Sequence, residues 1–469
     1  GRTIVGTFEN GTLSLKEINR FWNGPTEING RLLWDFVHLF RNIQDGIALA
    51  KKEYGNDLVS MGIDTWGVDS GLLDANGKLL CNPVHYRDSR TSGMFEKVFE
   101  KVSKEEVFRQ TGIQFMELNS LYQYMAMTLE GSVQYQVADK MLFSPDLLSY
   151  WLTGKKVAER TIASTSQFYN PIAKDWAFDL LEKVGIRTDL FPKLVDPGTV
   201  IGDVDGLPVV AVGGHDTASA FAAVPVTAGE QSAFLSSGTW SLLGTELSEP
   251  VINDQALAAD FTNEVGVCDT IRFLKNLSGL WIIQELRRVW AEQGFEYDYI
   301  QMAEMALLST PFEFFINPGD DRFVAPGDMS SRIQNACEQS GQGRPETHGQ
   351  LLRTAYEGLA LLYADTYGTL EQLSGKQFDT LRIVGGGCQN KTLSQFAADA
   401  VGREVVTGPI EATAIGNILM QMLAMGDIAS LDEGRGIVRN SFSHESVIYQ
   451  PQDADAWQAA LKKWRTICK

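Results

Sequence analysis

A polar triplet, His215-Asp216-Thr217, follows two glycines, Gly213-Gly214, at the end of a β-branched run that includes Val209, Val210 and Val212. An alanine-rich segment free of helix breakers comes next. The first run reads as a buried strand and the second as a helix, so the triplet falls at a strand-to-helix junction. Backbone N–H groups lack partners there and the helix dipole favours negative charge. A carboxylate in that position can take a proton from a bound hydroxyl. The same pattern also suits plain helix capping by Asp216 or Thr217, and the triplet by itself leaves both readings open.

Two glycine-bearing turns offer a different chemistry. Gly385-Gly386-Gly387-Cys388-Gln389-Asn390 follows the strand-like run Leu381–Val384 and precedes a helical pattern from Lys391 to Val401. Bare backbone at such a junction can approach a phosphate closely, or can simply supply a flexible loop. As a dinucleotide fingerprint it fails, because Asn390 stands where the last glycine belongs and the stretch lies near the C-terminus, so a dehydrogenase is rejected. Ser236-Ser237-Gly238-Thr239 could wrap phosphate oxygens with hydroxyl and N–H donors, or be an ordinary polar turn. No Gly-Lys-Ser/Thr loop exists, which excludes a P-loop enzyme, and the further histidines of a His-Asp metallohydrolase are missing. Asp64-Thr65-Trp66-Gly67 and Tyr86-Arg87-Asp88-Ser89-Arg90-Thr91 mix an aromatic face with polar groups, as small polyol pockets do, although core packing and an ion pair are equally simple readings.

The elements that must position these groups read as α/β. A hairpin is expected from Arg2–Phe8 and Leu13–Phe21 about Asn10-Gly11, then a strand near Arg31–Trp34 after Asn29-Gly30. Asp35 should cap a helix that presents Phe36, Leu39, Phe40, Ile43, Ile47 and Ala50. A strand over Leu58–Ile63 and a hairpin of Val68–Leu73 with Leu79–Val84 about Asn76-Gly77 complete the opening third. Residues from about 92 to 193 read as a mainly helical insertion, with Met141–Leu152 as one of its helices ending at Gly154. The second half restarts with a strand at Ser232–Leu235, the polar turn, and a return strand at Trp240–Thr245. A helix is expected from Gly279 to Trp290, and a nearly all-apolar one, opened by Glu411-Ala412-Thr413, must be buried.

With 469 residues the chain should form two sizeable domains. Its 59 acidic against 40 basic side chains give a net charge of −19, which argues against nucleic acid or an anionic membrane as partner. No run is long enough to cross a bilayer and no signal peptide is evident, so a cytoplasmic protein is expected. Five scattered cysteines suit reduced thiols, and neither they nor the five histidines fall at metal-ligand spacing.

Taken together, the chain resembles the FGGY carbohydrate kinases of the actin/hexokinase superfamily. The resemblance rests on Met61–Asp69, Tyr86–Thr91, His215–Ala220, Leu235–Ser241, Lys275-Asn276, Ile316–Pro318, Asp320–Phe323 and Ile383–Asn390, and it spans nearly the whole chain. It implies an α/β fold of two actin-like (ribonuclease H-like) domains with an interdomain cleft. A sugar-binding domain would cover 1–226, with the helical insertion at about 92–193, and an ATP-binding domain 227–469. By position it implies Asp216 as catalytic base. Gly67, His215, Asp216, Thr217 and Asn276 would be sugar contacts, and Gly1, Arg2, Thr239, Gln284 and Gly386 would be ATP contacts. Mg²⁺ would sit at Asp216 through water. The family pattern opens with an Asp-x-Gly-x-x-Ser-Gly-Arg loop, of which the sequence given carries Gly1-Arg2. The implied reaction is phosphorylation by ATP of the C1 hydroxyl of a ketose, L-rhamnulose first, with L-fuculose or L-xylulose as alternative acceptors. A non-catalytic sugar- and ATP-binding protein of the same fold is the other reading. The enzyme would be a monomer or homodimer.

Overall fold

The computed structural model describes residues 1–468. The chain forms two compact units. The first comprises Gly1–Thr227, Glu246–Phe273 and Ala412–Ser441; the second comprises Ala228–Thr245, Leu274–Glu411 and Phe442–Lys469. Two later segments of the chain therefore return to the first unit.

The first unit opens with two tight hairpins, Arg2–Glu9 with Thr12–Arg20 and Pro25–Ile28 with Arg31–Trp34. Each turns through an Asn-Gly pair with positive φ at both residues (52° and 76° at Asn10-Gly11, 52° and 75° at Asn29-Gly30). That is the type I′ geometry, whose twist matches the flanking strands. Helix Phe36–Tyr54 follows, and the Asp35 carboxylate accepts from the His38 N–H at 3.0 Å, as the cap pattern requires.

Three local expectations need correction. The strand expected over Leu58–Ile63 shrinks to Met61–Gly62, which pairs in parallel with Val209–Val210. Helix side chains take over its surroundings: Asn417 Nδ2 donates to the Gly62 carbonyl at 3.3 Å, and Ser60 Oγ donates to Gln421 Oε1 at 2.9 Å. The hairpin expected between Val68–Leu73 and Leu79–Val84 is not formed as a ladder. Its turn end is present, with Leu73 and Leu79 in one antiparallel bridge flanked by Leu80 N–H to the Leu72 carbonyl and Asp74 N–H to the Lys78 carbonyl, each at 2.9 Å, but the full ladder of strand Ser70–Leu73 is with the distant Lys140–Phe143. Lys140–Phe143 in turn displaces the start of the helix expected at Met141. That helix runs Ser144–Thr153, with Pro145 in its first turn and Gly154 (φ 72°) closing it.

The region at 92–193 is rich in short helices but also holds strands Val157–Glu159, Tyr169–Asn170 and Asp175–Trp176. Its core is aromatic, with Tyr122, Tyr124, Phe143 and Phe168 wholly buried. Strands Thr199–Val204 and Leu207–Ala211 pair antiparallel beside Met61–Gly62. The chain then runs into helix Asp216–Ala222, which packs against the apolar helix Ala412–Met425.

In the second unit, strands run in the order Trp240–Leu247, Ser232–Ser237, Thr380–Val384, Glu404–Thr407 and Val447–Tyr449. The two outer pairings are antiparallel and the two central ones parallel. The long helix His348–Ser374 is mostly buried, packs on helix Lys391–Val401, meets strand Trp240–Leu247 where the Tyr363 hydroxyl bonds Ser241 Oγ at 2.7 Å, and begins with a Thr347/Gln350 capping box. Among the described residues no helix is long and apolar enough to cross a membrane.

Candidate active site

In the first unit the polar triplet sits where the sequence predicts, with His215 in the N-cap position and Asp216 opening the helix. Its backbone is clamped from two sides. Thr65 N–H donates to the Gly214 carbonyl at 2.9 Å and Asp216 N–H to the Thr65 carbonyl at 2.8 Å, so Asp64–Gly67 lies alongside the triplet. From the other side Glu159 accepts from Gly214 N–H at 2.9 Å, and Thr161 Oγ1 accepts from His215 N–H at 3.2 Å. These bonds satisfy N–H groups that the junction would otherwise leave without partners.

Within the triplet, exposure is uneven. The Asp216 side chain is 45% exposed while that of His215 is 11% exposed. Thr217 Oγ1 donates to Asp216 Oδ1 at 3.1 Å, and His215 Nε2 stands 3.4 Å from the same oxygen. An accessible carboxylate engaged at one oxygen by the Thr217 hydroxyl can take a proton with the other.

Asp64 is a buried neighbour that feels the charge of this carboxylate. Burial pushes its pKa up to about 7; a hydrogen bond from Asn417 Nδ2 at 2.6 Å counters the rise, and the charge of Asp216 adds to it. Arg2 and His215 also act on Asp64, so the first residues of the chain belong to this neighbourhood. Gly1 itself is tied to Phe21: its backbone nitrogen donates to the Phe21 carbonyl at 2.8 Å. Behind the triplet, Arg272 is fully buried and pairs with Glu264 at 3.0 Å, and both reach the His215 ring.

Gly67 is placed by packing. A Cβ there would meet Thr165 Oγ1 at 3.0 Å. The next residue, Val68, holds φ at 67°, a region that β-branched residues rarely enter and that costs on the order of 1–3 kcal/mol. Thr165 Oγ1 accepts from Val68 N–H at 3.0 Å and Ser120 Oγ donates to its carbonyl at 2.5 Å, which holds the strained turn in place.

The aromatic and polar set near Trp66 is more committed to structure than its composition suggests. Trp66 stacks on Trp34 with ring centroids 4.0 Å apart, and Asp69 Oδ2 accepts from both indoles at 2.9 and 2.6 Å. Burial pushes Asp69 up to about 6, while bonds from Trp34, Gln123 and Trp66 oppose the rise. Asp88 is buried, accepts from Leu32 N–H and Arg90 N–H, and pairs with Arg31 at 3.1 Å. It organises its own loop instead of offering a free carboxylate.

In the second unit the two glycine-bearing turns are neighbours. A Cβ on Gly387 would fall 2.1 Å from Ser237 Oγ, and one on Gly385 3.0 Å from the Ser237 carbonyl. A Cβ on Gly386, by contrast, would enter open space. Thr239 Oγ1 donates to Gln284 Oε1 at 3.2 Å, while Leu280 N–H donates to the Gly238 carbonyl at 2.9 Å. Thr239, Gln284 and Gly386 are thus gathered around one turn, next to the start of helix Trp281–Glu292. Glycine backbone with room in front of it suits phosphate oxygens. Asn276 lies farther along the sheet, within strand Ile271–Ser278, half-buried. Among the described residues no group of three His, Cys, Asp or Glu side chains is arranged to hold a metal ion.

Residue chemistry alone did not single out Asp64, Asn417, Glu159, Glu264 or Arg272. Asp64 stands in a motif read as polar, whereas the others lie far from the triplet in sequence and carry no spacing signal.

Residues 9–224 match the N-terminal domain of the FGGY family of carbohydrate kinases, and residues 233–425 match the family's C-terminal domain. The chain is 43% identical to a rhamnulokinase of Bacteroides thetaiotaomicron, over 98% of this chain and 95% of that protein. It is 42% identical to one from Ligilactobacillus salivarius, over 94% and 92% of the two chains. For one from Bacillus subtilis the identity is 40%, over 100% and 97%. Among solved structures, a gluconate kinase from Lactobacillus acidophilus superposes with a TM-score of 0.78 over 98% of this chain and 93% of that chain, at 15% identity. A ligand-bound xylulose kinase from the same organism gives 0.78 over 99% and 95%, also at 15% identity, a likeness of fold. With this degree of identity along nearly its full length and both domains matched, the chain belongs to the FGGY family of carbohydrate kinases, enzymes of actin-like two-domain fold.

Proposed function

We propose that this enzyme transfers the γ-phosphoryl group of ATP to the C1 hydroxyl of L-rhamnulose. The observation that supports this most is the recurrence of the name rhamnulokinase among relatives about 40% identical over nearly the whole chain. The geometry of the first unit agrees with it. Asp216 takes the proton of the C1 hydroxyl, the freed oxygen forms a bond to the γ-phosphorus, and the bond from that phosphorus to the β,γ-bridging oxygen breaks, releasing ADP. Phosphoryl transfer of this type depends mostly on positioning and charge neutralisation, so a carboxylate base suffices. His215, Thr217, Gly67 and Asn276 contact the sugar.

Thr239, Gln284 and the Gly386 backbone hold ATP in the second unit, with Gly1 and Arg2 contributing to its phosphates. In this reading the sugar-binding domain is 1–226 and the ATP-binding domain 227–469. The open space in front of Gly386 and the two packed glycines beside it are what a phosphate cradle needs. Mg²⁺ carried by ATP fits this donor set, because a hard cation prefers oxygen ligands and the half-exposed Asp216 carboxylate can hold it through water. Bound there it would neutralise phosphate charge. The reading places the enzyme in the cytoplasm, as a monomer or homodimer.

The direct test is ADP production by the full-length enzyme from L-rhamnulose, L-fuculose and L-xylulose side by side. A kcat/KM highest for L-rhamnulose is expected; a preference for either other ketose overturns the substrate, and sugar binding without ADP release overturns catalysis.

A further inference from the structure

On its Nδ1 side the His215 ring is gripped by two charged groups, Arg272 and Glu264, that the proposed reaction does not use. Its Nδ1 lies 3.2 Å from Arg272 Nη2 and 3.3 Å from Glu264 Oε2, while its Nε2 faces Asp216 Oδ1 at 3.4 Å. Arg272 is wholly buried and cannot swing away. Its Nη2 pairs with Glu264 Oε2 at 3.0 Å, and its Nε donates to the Val265 carbonyl at 3.1 Å. The backbone of His215 is equally fixed, by Thr161 and by the strand bridge to Thr65.

A guanidinium has N–H donors and no acceptor. When Arg272 Nη2 bonds to Nδ1, that nitrogen must accept, and the proton of the neutral ring must sit on Nε2. The opposite tautomer would give its Nδ1 proton to Glu264 and turn the Nε2 lone pair onto the Asp216 oxygen, lone pair against lone pair. We propose that Arg272 is a positioning residue that fixes His215 as the Nε2–H tautomer, so that the imidazole presents a donor beside Asp216. Asp216 Oδ1 then receives two donors, His215 Nε2–H and Thr217 Oγ1–H, which leaves Oδ2 for the sugar hydroxyl. The consequence for the sugar rests on the proposed function; the tautomer itself does not.

The test uses the full chain labelled with ¹⁵N-histidine and two-bond ¹H–¹⁵N correlation at pH 8. There are five histidines, and the His215 signals are those lost in His215→Gln. The expected pattern for His215 is a protonated Nε2 and an unprotonated Nδ1. A ring protonated at Nδ1, or at both nitrogens, overturns the proposal, and this measurement needs neither substrate nor a variant of Arg272. The second arm compares Arg272→Lys, which keeps a donor, with the double variant Arg272→Met/Glu264→Gln, which removes both buried charges together and so avoids leaving one of them alone. The double variant should lose the uniform tautomer and show a sugar KM raised about tenfold with the ATP KM unchanged, the effect of one misdirected hydrogen bond. Arg272→Lys should restore most of both. A double variant with wild-type tautomer and wild-type sugar KM overturns the proposal. If wild-type enzyme fails to phosphorylate L-rhamnulose while the Nε2–H pattern holds, the substrate reading falls and the tautomer assignment stands.

Discussion

Gly416 lies against the backbone of Ser219 so closely that a Cβ on the glycine would come within 1.7 Å of the Ser219 carbonyl oxygen. Ser219 is one turn into the helix that begins with Asp216, and its Oγ donates to the Gly213 carbonyl at 2.8 Å. The approach of helix Ala412–Met425 therefore sets the height of the helix that carries the proposed base. Gly416→Ala gains about 1 kcal/mol of helix propensity but must push two backbones apart. Overpacking of a rigid contact costs about 1–3 kcal/mol or more, so the clash wins. The variant should show a lower midpoint in urea and a reduced kcat, with the sugar KM moving as well because His215 and Thr217 shift with the helix.

Asp216→Asn should cut kcat by at least about 100-fold, within the range for loss of a general base, and leave the sugar KM within a few-fold of wild type. Asparagine keeps the size and the acceptor oxygen toward Thr217. Steady-state kinetics with coupled ADP detection checks this, and near wild-type turnover would remove Asp216 from the reaction.

Gly386→Ala and Gly387→Ala separate ligand space from packing. A methyl group on Gly386 meets nothing in the protein, whereas one on Gly387 meets Ser237 at 2.1 Å. Gly386→Ala should raise the ATP KM about tenfold with an unchanged melting temperature, since it fills the room proposed for phosphate. Gly387→Ala should raise the ATP KM and lower the melting temperature together. An unaltered ATP KM in both variants would place the nucleotide elsewhere.

Asp64 gives a pH dependence with a definite sign. Its pKa stands at about 7 against an ordinary value of 3.8, chiefly because it is buried. Its contribution to stability is therefore fully present below pH 4 and is lost as pH rises through 7, at up to about 1.4 kcal/mol per pH unit. Asp64→Asn stays neutral throughout. The stability of the variant minus that of wild type should grow between pH 4 and pH 7 and level off above, measured by urea titration at fixed ionic strength. The buried Asp69 and Glu159 are also raised but are present in both proteins, so they cancel in the difference. A difference that is flat across this range would mean that Asp64 is ionised throughout it.

Much of the fold was legible in the chain because its signals are local. Asn-Gly pairs dictate positive φ at two successive residues, Asp35 caps the helix that follows it, and Gly154 ends another. The errors came where a partner is remote. Ser70–Leu73 looks like half of a hairpin, yet its ladder partner is about 70 residues away at Lys140–Phe143, a segment whose pattern also suits a helix. Such a choice depends on which surface is available to cover each strand, and no short window of sequence contains that.

By itself, the sequence determined the α/β character, the strand-to-helix junction that exposes Asp216, the glycine turns, and, through its motifs, the kinase family. Only the tertiary structure decided what surrounds that carboxylate: the buried Asp64, itself bonded by Asn417 from a helix some 350 residues after it, and Arg272 with Glu264 behind the imidazole. Backbone geometry at a junction follows from neighbouring residue types and can be read along the chain. The charge and hydrogen-bond environment of a buried group is a property of what packs within a few ångströms of it, and folding assembles that from segments with no sequence relation to one another.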